Sequence, residues 1–383
     1  MRRGRLIATA FWAAVFLWLT CGFVSVNRTA QALLPKALEY GDAAGDRLRF
    51  SELYAAEAKV EGLLVSGESS GRGLVYAADF PLFEGLVRIV RTDGNYPAFH
   101  SLKLLRGSFF PTDPAGREPA AVISEPLAVQ AFQSVDVVGN LLEVGGQQCR
   151  VVGVYEPDDS LLYRYSSDGQ DVVYIPYYVQ ADGTNDQVDT FYLRELGQEN
   201  GVSYPLLAAW DDATGGKSTY YQQANYFDRA KLAGQALPTL FFLLCMVLAV
   251  YIVRYLYRAI LQLVGFWQEK RAGHEIVSAR EWMRVWLPPA VSFCALLVVL
   301  LLCGFEPYLP AGFLPDGGNI FDFPHYVELI VAAANRRNLS GAYLFYDNYT
   351  FHLLWLNGVF LTACTAAFIG VCASVKKLML RAE

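Results

Sequence analysis

The sequence predicts a membrane protein with four transmembrane α-helices and an α+β extracytoplasmic domain inserted between helices 1 and 2. Three observations favour this class. Of the 383 residues, 54% are hydrophobic and only 18% are charged. The mean hydropathy is +0.25. Four long uncharged runs are present, and one long polar segment separates the first two. Soluble domains carry about 25% charged residues, so the composition argues against a disordered chain, a coiled coil and an ordinary cytosolic enzyme.

The four apolar runs are long enough to cross a bilayer. A transmembrane helix rises about 1.5 Å per residue and needs about 20 apolar residues, and the runs have 17 to 25 uncharged residues each. The predicted transmembrane segments are 1–26 (with a short cytoplasmic end), 236–253, 285–305 and 351–375. A cleavable signal peptide is the alternative interpretation of the first run, which is longer than the apolar core of a usual signal peptide.

Basic residues near the ends of the runs predict the orientation. The segments 1–5, 254–284 and 376–383 together hold 12 of the 31 Lys and Arg residues but only 4 of the 37 Asp and Glu residues. Cytoplasmic segments carry such an excess of basic residues. We therefore expect the N-terminus, a coupling loop at 254–284 and a tail at 376–383 to be cytoplasmic. Residues 27–235 then form the extracytoplasmic domain with its stalk, and 306–350 form an extracytoplasmic loop.

The polar segment shows the pattern of an α+β domain with a mixed or antiparallel sheet. Short apolar runs bounded by turn residues predict strands. These predicted strands are 60–67, 85–94, 120–124, 140–144, 149–155 and 171–178. Gly145-Gly146 predicts a hairpin turn between two of them. Ser124 predicts the N-cap of a helix over 125–134, because its hydroxyl can accept a backbone N–H bond.

The second transmembrane segment is predicted to belong to a longer helix. No turn dipeptide interrupts residues 219–236, and residues 254–267 also have a helical pattern. The simplest interpretation is one helix that leaves the outer domain, crosses the membrane and emerges inside. The alternative interpretation, which the periodicity supports equally well, is an ordinary transmembrane helix with frayed ends. Gly234 and Pro238 are the residues that can break the longer helix.

Charge, cysteine and histidine content exclude other classes of protein. No block of like charge stands out in a chain of net charge −6, which argues against nucleic acid as a partner. Of the seven cysteines only Cys149 lies outside the apolar runs, so the polar part has no disulfide framework. The four histidines lack the paired spacing of metal ligands, and no metal site is predicted.

Short motifs follow one another in order within residues 102–178. They are Leu105 with Gly107 and Phe109, Val122-Ile123-Ser124-Glu125 with Leu127-Ala128, Val138-Gly139, Val151-Val152-Gly153-Val154 and Tyr174-Ile175-Pro176. This series resembles the periplasmic core domain of MacB-type ABC-transporter membrane subunits. The chain is accordingly similar to the MacB/FtsX type of permease subunit. That family has one span, a large outer domain, three further spans and both termini inside, which is the topology that the charge distribution predicts.

The resemblance implies a function and a set of partners. It implies the membrane subunit of a bacterial ABC transporter, in which ATP hydrolysis by a separate cytoplasmic ATPase moves the extracytoplasmic domain (mechanotransmission) to export or extract a peptide, lipoprotein or similar substrate. The implied partners are the ABC ATPase, a second permease copy (as a homodimer or as a heterodimer with a related permease), membrane lipid and an extracytoplasmic peptide or protein. The implied location is the bacterial plasma membrane. No cofactor is expected, since ATP would be bound by the partner subunit.

The resemblance also implies a coupling element. In this family the loop after the second helix contacts the ATPase, often through a Glu-Ile-Gly-x-x-Arg run. The chain has Glu275, Ile276 and Arg280 at the matching positions, with Val277 in place of the glycine. The implied ATPase-coupling residues are Lys270, Arg271, His274, Glu275, Ile276 and Arg280.

Two motif-like segments do not predict catalysis. Residues 211–218 (DDATGGKS) resemble a phosphate-binding loop but have Asp211 where the first glycine is needed. Residues 67–71 (GESSG) have the letters of a nucleophile elbow around Ser69, but a predicted strand rather than a helix follows. No catalytic residue is predicted, and the chain is expected not to be an enzyme. The alternatives are a non-transport receptor or scaffold that regulates a kinase or cell-wall hydrolase, and a hydrolase using Ser69.

Overall fold

The computed structural model describes residues 2–41, 43, 45–77, 83–111, 118–166, 169–180, 186–198, 201–273, 278–302, 315, 319, 321–329, 331 and 345–379. The chain divides into two units. The helical unit comprises residues 1–28, 232–309 and 354–383, and the sheet-bearing unit comprises residues 29–231 and 310–353.

The helices differ sharply in length. They are α1 (Arg2–Leu33), α2 (Phe50–Glu57), α3 (Tyr96–Phe99), α4 (Glu125–Phe132), α5 (Leu161–Ser166), α6 (Tyr204–Ala213), α7 (Tyr226–Gly234), α8 (Ala236–Gly273), α9 (Ala279–Leu302) and α10 (Phe345–Met379). A 3₁₀ turn covers Lys217–Tyr220, and residues 323–329 are also helical.

Ten strands form one mixed sheet. They are β1 (Leu38–Gly41), β2 (Leu63–Ala77), β3 (Phe83–Thr92), β4 (Lys103–Gly107), β5 (Ala120–Ser124), β6 (Leu141–Val144), β7 (Gln147–Glu156), β8 (Val172–Pro176), β9 (Thr190–Glu195) and β10 (Gln222–Asn225). Their order is β10-β1-β9-β2-β3-β8-β5-β7-β4, and β6 pairs with both β2 and β7. The pairs β3–β8 and β5–β7 are parallel, and the others are antiparallel.

Because β6 bridges β2 and β7, the strands β2, β3, β8, β5, β7 and β6 close into a ring. Alternate side chains of a strand point to opposite faces. On β3 this alternation places Val87 and Ile89 in the ring's apolar core and Val90 in a second cluster on the other face. Leu127 and Phe132 of α4 belong to the same apolar core as the ring. Burial of this aliphatic set removes apolar area from water, which stabilises the domain.

The remaining strands form an open branch with its own core. β9 joins β1 to the ring strand β2, and β1 pairs with β10 at the edge. Phe50 and Leu53 of α2, Phe191 of β9 and Trp210 of α6 pack together in this core. Phe191 stacks on Tyr40 with ring centroids 4.7 Å apart.

Two local predictions are confirmed. The Ser124 hydroxyl accepts a hydrogen bond from the backbone N–H of Leu127 at 3.3 Å and so caps α4. Gly145 and Gly146 connect the antiparallel strands β6 and β7 with positive φ angles of 53° and 78°. Positive φ at both central residues is the requirement of a type I′ hairpin turn.

The prediction of a helix over residues 219–236 is wrong for its first half. Residues Gln222–Asn225 form β10, which pairs antiparallel with β1, because pairing with an available strand edge outweighs the weak helical preference of a four-residue polar run. Helix α7 then ends at Gly234 and α8 begins at Ala236. Pro238 lies in the first turn of α8, where its missing N–H costs little.

Among the residues that the structure describes, four helices are long and apolar enough to cross a membrane by length and composition. They lie within Leu6–Leu33, Tyr226–Ala272, Ala279–Leu301 and Asn348–Lys376. The predicted class, four apolar helices with an α+β domain between the first two, is confirmed. Helix α8 runs without interruption for 38 residues to Gly273, so much of the segment predicted as a coupling loop is helical.

A pair of buried amides joins α1 to α10 within the helical unit. Asn27 Nδ2 donates to Asn357 Oδ1 at 2.9 Å, and Asn357 Nδ2 donates back to Asn27 Oδ1 at 3.0 Å. Asn27 is 2% exposed and Asn357 is 6% exposed. Phe23 and Cys364 pack nearby in an apolar cluster with Leu240 of α8. The amides therefore satisfy each other in a place where water is scarce.

Candidate functional site

A cavity of about 410 Å³ lies in the sheet-bearing unit, on the outer face of the strand ring. Its walls are formed by alternate residues of strands in the ring and in the open branch. The segments around His100 and Asp158 also line it. On β3 the residues facing the cavity are Arg88 and Val90, which alternate with the core residues Val87 and Ile89. The strand register that directs Val87 and Ile89 into the core of the ring therefore also directs Arg88 and Val90 into the cavity.

Carboxylates dominate the charge of the cavity. Among the described residues, Glu39, Glu68, Glu156, Asp158 and Asp171 line it, together with one guanidinium, that of Arg88. Burial raises the pKa of Glu68, and the charge of Asp189 adds to this rise, while Arg88 and a hydrogen bond with Tyr96 oppose it.

The carboxylates differ in their partners. Asp171 accepts a hydrogen bond from the Ser124 hydroxyl at 2.7 Å. Asp158 accepts from the backbone N–H of Ser160 at 2.8 Å and from its hydroxyl at 3.1 Å. Glu156 forms an ion pair with Lys103. Hydroxyl and amide donors orient a carboxylate without cancelling its charge, so Asp158 and Asp171 keep the cavity negative.

Aromatic rings form the other part of the lining. Tyr174 lies 5.1 Å from Tyr96 and 5.4 Å from Tyr155 between ring centroids. His100 stacks on Tyr96 at 3.9 Å and meets the edge of Tyr192 at 4.6 Å. Burial lowers the pKa of His100 to about 3, so its imidazole is neutral near pH 7. The cavity is therefore both acidic and aromatic.

The sequence did not predict that these residues line one cavity. Glu39, Glu68 and Arg88 come from three strands and meet only through the register of the sheet. The sequence does contain a sign of a second, polar strand face. On β3, for example, the charged residue Arg88 occupies an alternate position within an apolar run. What the sequence does not reveal is that these faces lie on one cavity rather than in bulk water.

The described part of the predicted coupling element lies at one helical connection. Lys270 and Arg271 are in the last turn of α8, where basic side chains favour the negative end of the helix dipole. Arg280 is exposed in the first turn of α9, and α8 and α9 pack against each other. His274, Glu275 and Ile276 lie outside the described residues.

Helix α9 begins with a capping box. The Ser278 hydroxyl accepts from the backbone N–H of Glu281, and the Glu281 carboxylate accepts from the backbone N–H of Ser278, both at 3.3 Å. Reciprocal bonds of this kind fix the first turn of a helix. They hold Arg280 at a defined place beside the connection.

The two motif-like segments have structural surroundings. Residues 67–71 lie inside the continuous strand β2, and Ser69 is 2% exposed with its hydroxyl bonded to Asp189 at 3.3 Å. Lys217 of the DDATGGKS segment forms ion pairs with Glu52 at 3.0 Å and Asp46 at 3.1 Å. Neither segment presents the geometry that its motif needs.

Within the portion of the chain that the structure describes, no group of three or more His, Cys, Asp or Glu side chains is placed to hold a metal ion. The cysteines described are free, and Cys149 is buried in β7.

Comparison with known proteins shows which domain family the sheet-bearing part of the chain resembles. An α+β domain between the first and second of four apolar helices is the arrangement of a multi-pass protein with one large domain on one side of the membrane. Residues 22–202 match the family model of the MacB-like periplasmic core domain. This part of the chain is similar to that family, and the resemblance noted in the sequence is confirmed. The match supports an ABC transporter permease, located in the plasma membrane.

Solved structures similar to this chain carry related names. The periplasmic region of MacB from Actinobacillus actinomycetemcomitans is 15% identical, with a TM-score of 0.39, covering 53% of this chain and 94% of that one. The extracellular domain of the noncanonic ABC-type transporter YknZ from Gram-positive bacteria is 15% identical, with a TM-score of 0.34, covering 49% of this chain and 98% of that one. No curated protein matches the chain.

Proposed function

We propose that the chain is the membrane subunit of a bacterial ABC transporter of the MacB/FtsX type and that it works by mechanotransmission. The observation that carries this proposal is the match of residues 22–202 to the MacB-like periplasmic core domain, which begins within the first apolar helix and ends before the second. In the proposed topology the basic segments at 1–5, 254–284 and 376–383 face the cytoplasm, and the core domain faces outward.

The proposed mechanism uses α8 as the transmitting element. Its 38 residues give a length of about 57 Å, which exceeds the hydrocarbon thickness of about 30 Å. A separate ATPase would bind the connection between α8 and α9, and its closure on ATP would displace Lys270, Arg271 and Arg280. The continuous helix would carry this displacement toward the extracytoplasmic domain. A second permease copy, identical or related, would complete the complex.

Affinity purification of the full chain in mild detergent tests the proposal. We expect an ABC ATPase to co-purify, and we expect Arg280→Glu combined with Lys270→Glu to lower its yield at least tenfold, since reversing a contact charge costs about 1.4 kcal/mol or more. The matched control is Lys59→Glu, an exposed charge in the sheet-bearing unit. Absence of any ATPase from the native purification would contradict the proposal and favour the receptor alternative.

The orientation is tested separately. Single cysteines introduced at Lys59 and at Arg280, in a chain whose exposed native cysteines are replaced, are treated with an impermeant thiol reagent on intact cells. We expect labelling at position 59 and none at position 280 before lysis. The reverse pattern would contradict the proposed topology.

A further inference from the structure

We infer that the cavity binds a cationic ligand group, an ammonium or guanidinium on an apolar stem, between the carboxylates of Glu68, Asp158 and Asp171 and the surrounding tyrosine rings. The inference rests on the proposed function in taking the cavity to face outward, where such a ligand would be the transported or sensed substrate. Binding itself requires no ATPase and is measured without one.

The cavity has the size and the rigid walls of a small-ligand pocket. About 410 Å³ lies within the usual range of about 300–1,000 Å³ for small-ligand pockets. The volume accommodates one long side chain with its neighbouring groups. The walls are held by strand register and by buried rings such as Tyr155 and Tyr174, which are 4% and 8% exposed. The cavity is therefore largely preformed, which lowers the entropic cost of binding.

The charge of the lining selects the sign of the ligand. The described lining contains five carboxylates and one guanidinium. Arg88 offsets the charge of Glu68, and Lys103 offsets that of Glu156. Asp158 and Asp171 are held by hydroxyl and amide groups, which leave their charges intact. A cation entering the cavity is attracted and an anion is repelled, more strongly than in bulk water because the site is partly desolvated.

The rings select the shape of the ligand. Tyr96, Tyr155 and Tyr174 form one continuous aromatic cluster at the cavity, and Tyr163 also lines it. Tyrosine faces attract cations and pack against methylene groups. His100 is neutral near pH 7 and so does not repel an incoming cation. A compact inorganic cation would leave these rings unused, whereas a charged head on an apolar stem uses both parts of the lining.

This ligand chemistry has two sources, a free polyamine and the side chain of a peptide. Two probes distinguish them, namely spermidine and an amidated tri-lysine peptide, with tri-glutamate as the negative probe. Binding to the full chain in detergent is measured by isothermal titration at fixed ionic strength. Binding of either cationic probe supports the inference and tells which source fits better. Failure of both probes to bind would overturn it.

The site is tested with Asp158→Asn together with Asp171→Asn, which preserves shape and removes two charges. We expect at least a tenfold weaker Kd. The control is Glu61→Gln together with Asp136→Asn, which removes the same charge from exposed positions outside the cavity, and we expect its Kd to stay within twofold. An equal loss in both double variants would show attraction by the whole domain rather than by the cavity and would overturn the inference.

A second variant decides the matter if the double variant fails to fold. Tyr163→Leu removes one ring from a partly exposed position, and we expect about a three- to tenfold weaker Kd, the usual size of a cation–aromatic contact. An unchanged Kd would overturn the aromatic part of the inference. Cation binding without a co-purifying ATPase would refute the proposed function alone, whereas an ATPase partner without cation binding would refute this inference alone.

Discussion

The amide pair between Asn27 and Asn357 makes a quantitative prediction about how α1 and α10 are held together. Replacing either residue by leucine removes two interhelical hydrogen bonds of 2.9 and 3.0 Å. It also leaves the other amide buried without this partner. Replacing both residues removes the polar groups together and leaves two apolar side chains in an apolar environment.

The expected magnitudes follow from these two contacts. A polar contact between membrane helices contributes about 0.6 kcal/mol on average and up to about 1.7 kcal/mol, so two bonds give a coupling of about 1–3 kcal/mol. A buried amide left without its partner costs about 1–3 kcal/mol. We therefore expect each single variant to lower the free energy of unfolding by about 2 kcal/mol. The double variant should lower it by at least 1 kcal/mol less than the sum of the two.

The assay is a double-mutant cycle on the full chain in mixed micelles. The chain is unfolded by raising the proportion of a denaturing detergent, and unfolding is followed by tryptophan fluorescence. Thr362→Val is the control, because Thr362 is exposed on the same helix and bonds only the carbonyl of Gly358, at 2.8 Å. Its effect should stay within about 0.5 kcal/mol. Additive costs of Asn27→Leu and Asn357→Leu, with no coupling, would refute the role assigned to the pair.

Three further predictions concern the sheet-bearing unit and are measured by chemical denaturation of the full chain in detergent. Gly107→Ala should lower the free energy of unfolding by at least about 2 kcal/mol more than Gly215→Ala. Both glycines have φ near +65°, so the backbone strain is the same in the two variants. A Cβ at position 107 would lie 2.0 Å from the Val152 carbonyl oxygen, whereas no described atom outside the adjacent residues lies within 4 Å of a Cβ at position 215. Similar costs would contradict the steric argument. Ser124→Ala should cost at least about 1 kcal/mol, because it removes both the cap of α4 and the hydroxyl's bond to Asp171. Ser124→Asn should restore the part that is due to the cap, and a silent Ser124→Ala would contradict the capping role. The pKa of His100 is about 3 in the folded chain and about 6.5 in the unfolded chain. Above about pH 6.5 the imidazole is neutral in both states. As the pH falls below about 6.5 the unfolded chain binds a proton that the folded chain does not, so the free energy of unfolding decreases. Between pH 7 and pH 5 the native chain should lose about 2 kcal/mol more than His100→Gln, and parallel pH profiles would count against a buried neutral imidazole.

The strands of the closed ring were predictable from the sequence. All six have apolar residues in period two that fill one core, and the predicted segments overlap every one of them. The short strands β1, β4, β9 and β10 were not predicted. A run such as Gln222–Asn225 has no apolar alternation, and only its pairing with β1 makes it a strand. The long-range partner that decides such a segment is absent from the local sequence.

The same distinction between local and long-range information applies to the candidate sites. The resemblance to the core domain family and the proposed coupling role of Lys270, Arg271 and Arg280 come from contiguous motifs, which a sequence displays directly. The cavity requires Glu68, Arg88 and groups from distant loops to meet across the sheet. Their meeting depends on strand order, which the sequence alone does not specify.

The edge pair β1–β10 has a mechanical consequence. Leu38 lies opposite Asn225 in the ladder, and these residues follow α1 and precede α7 along the chain. Both helical connections thus attach to the same end of the pair. If the two helices separate, the ladder unzips one bond at a time, at low force. If they move together, no such peeling force acts on the ladder, and its hydrogen bonds stay intact.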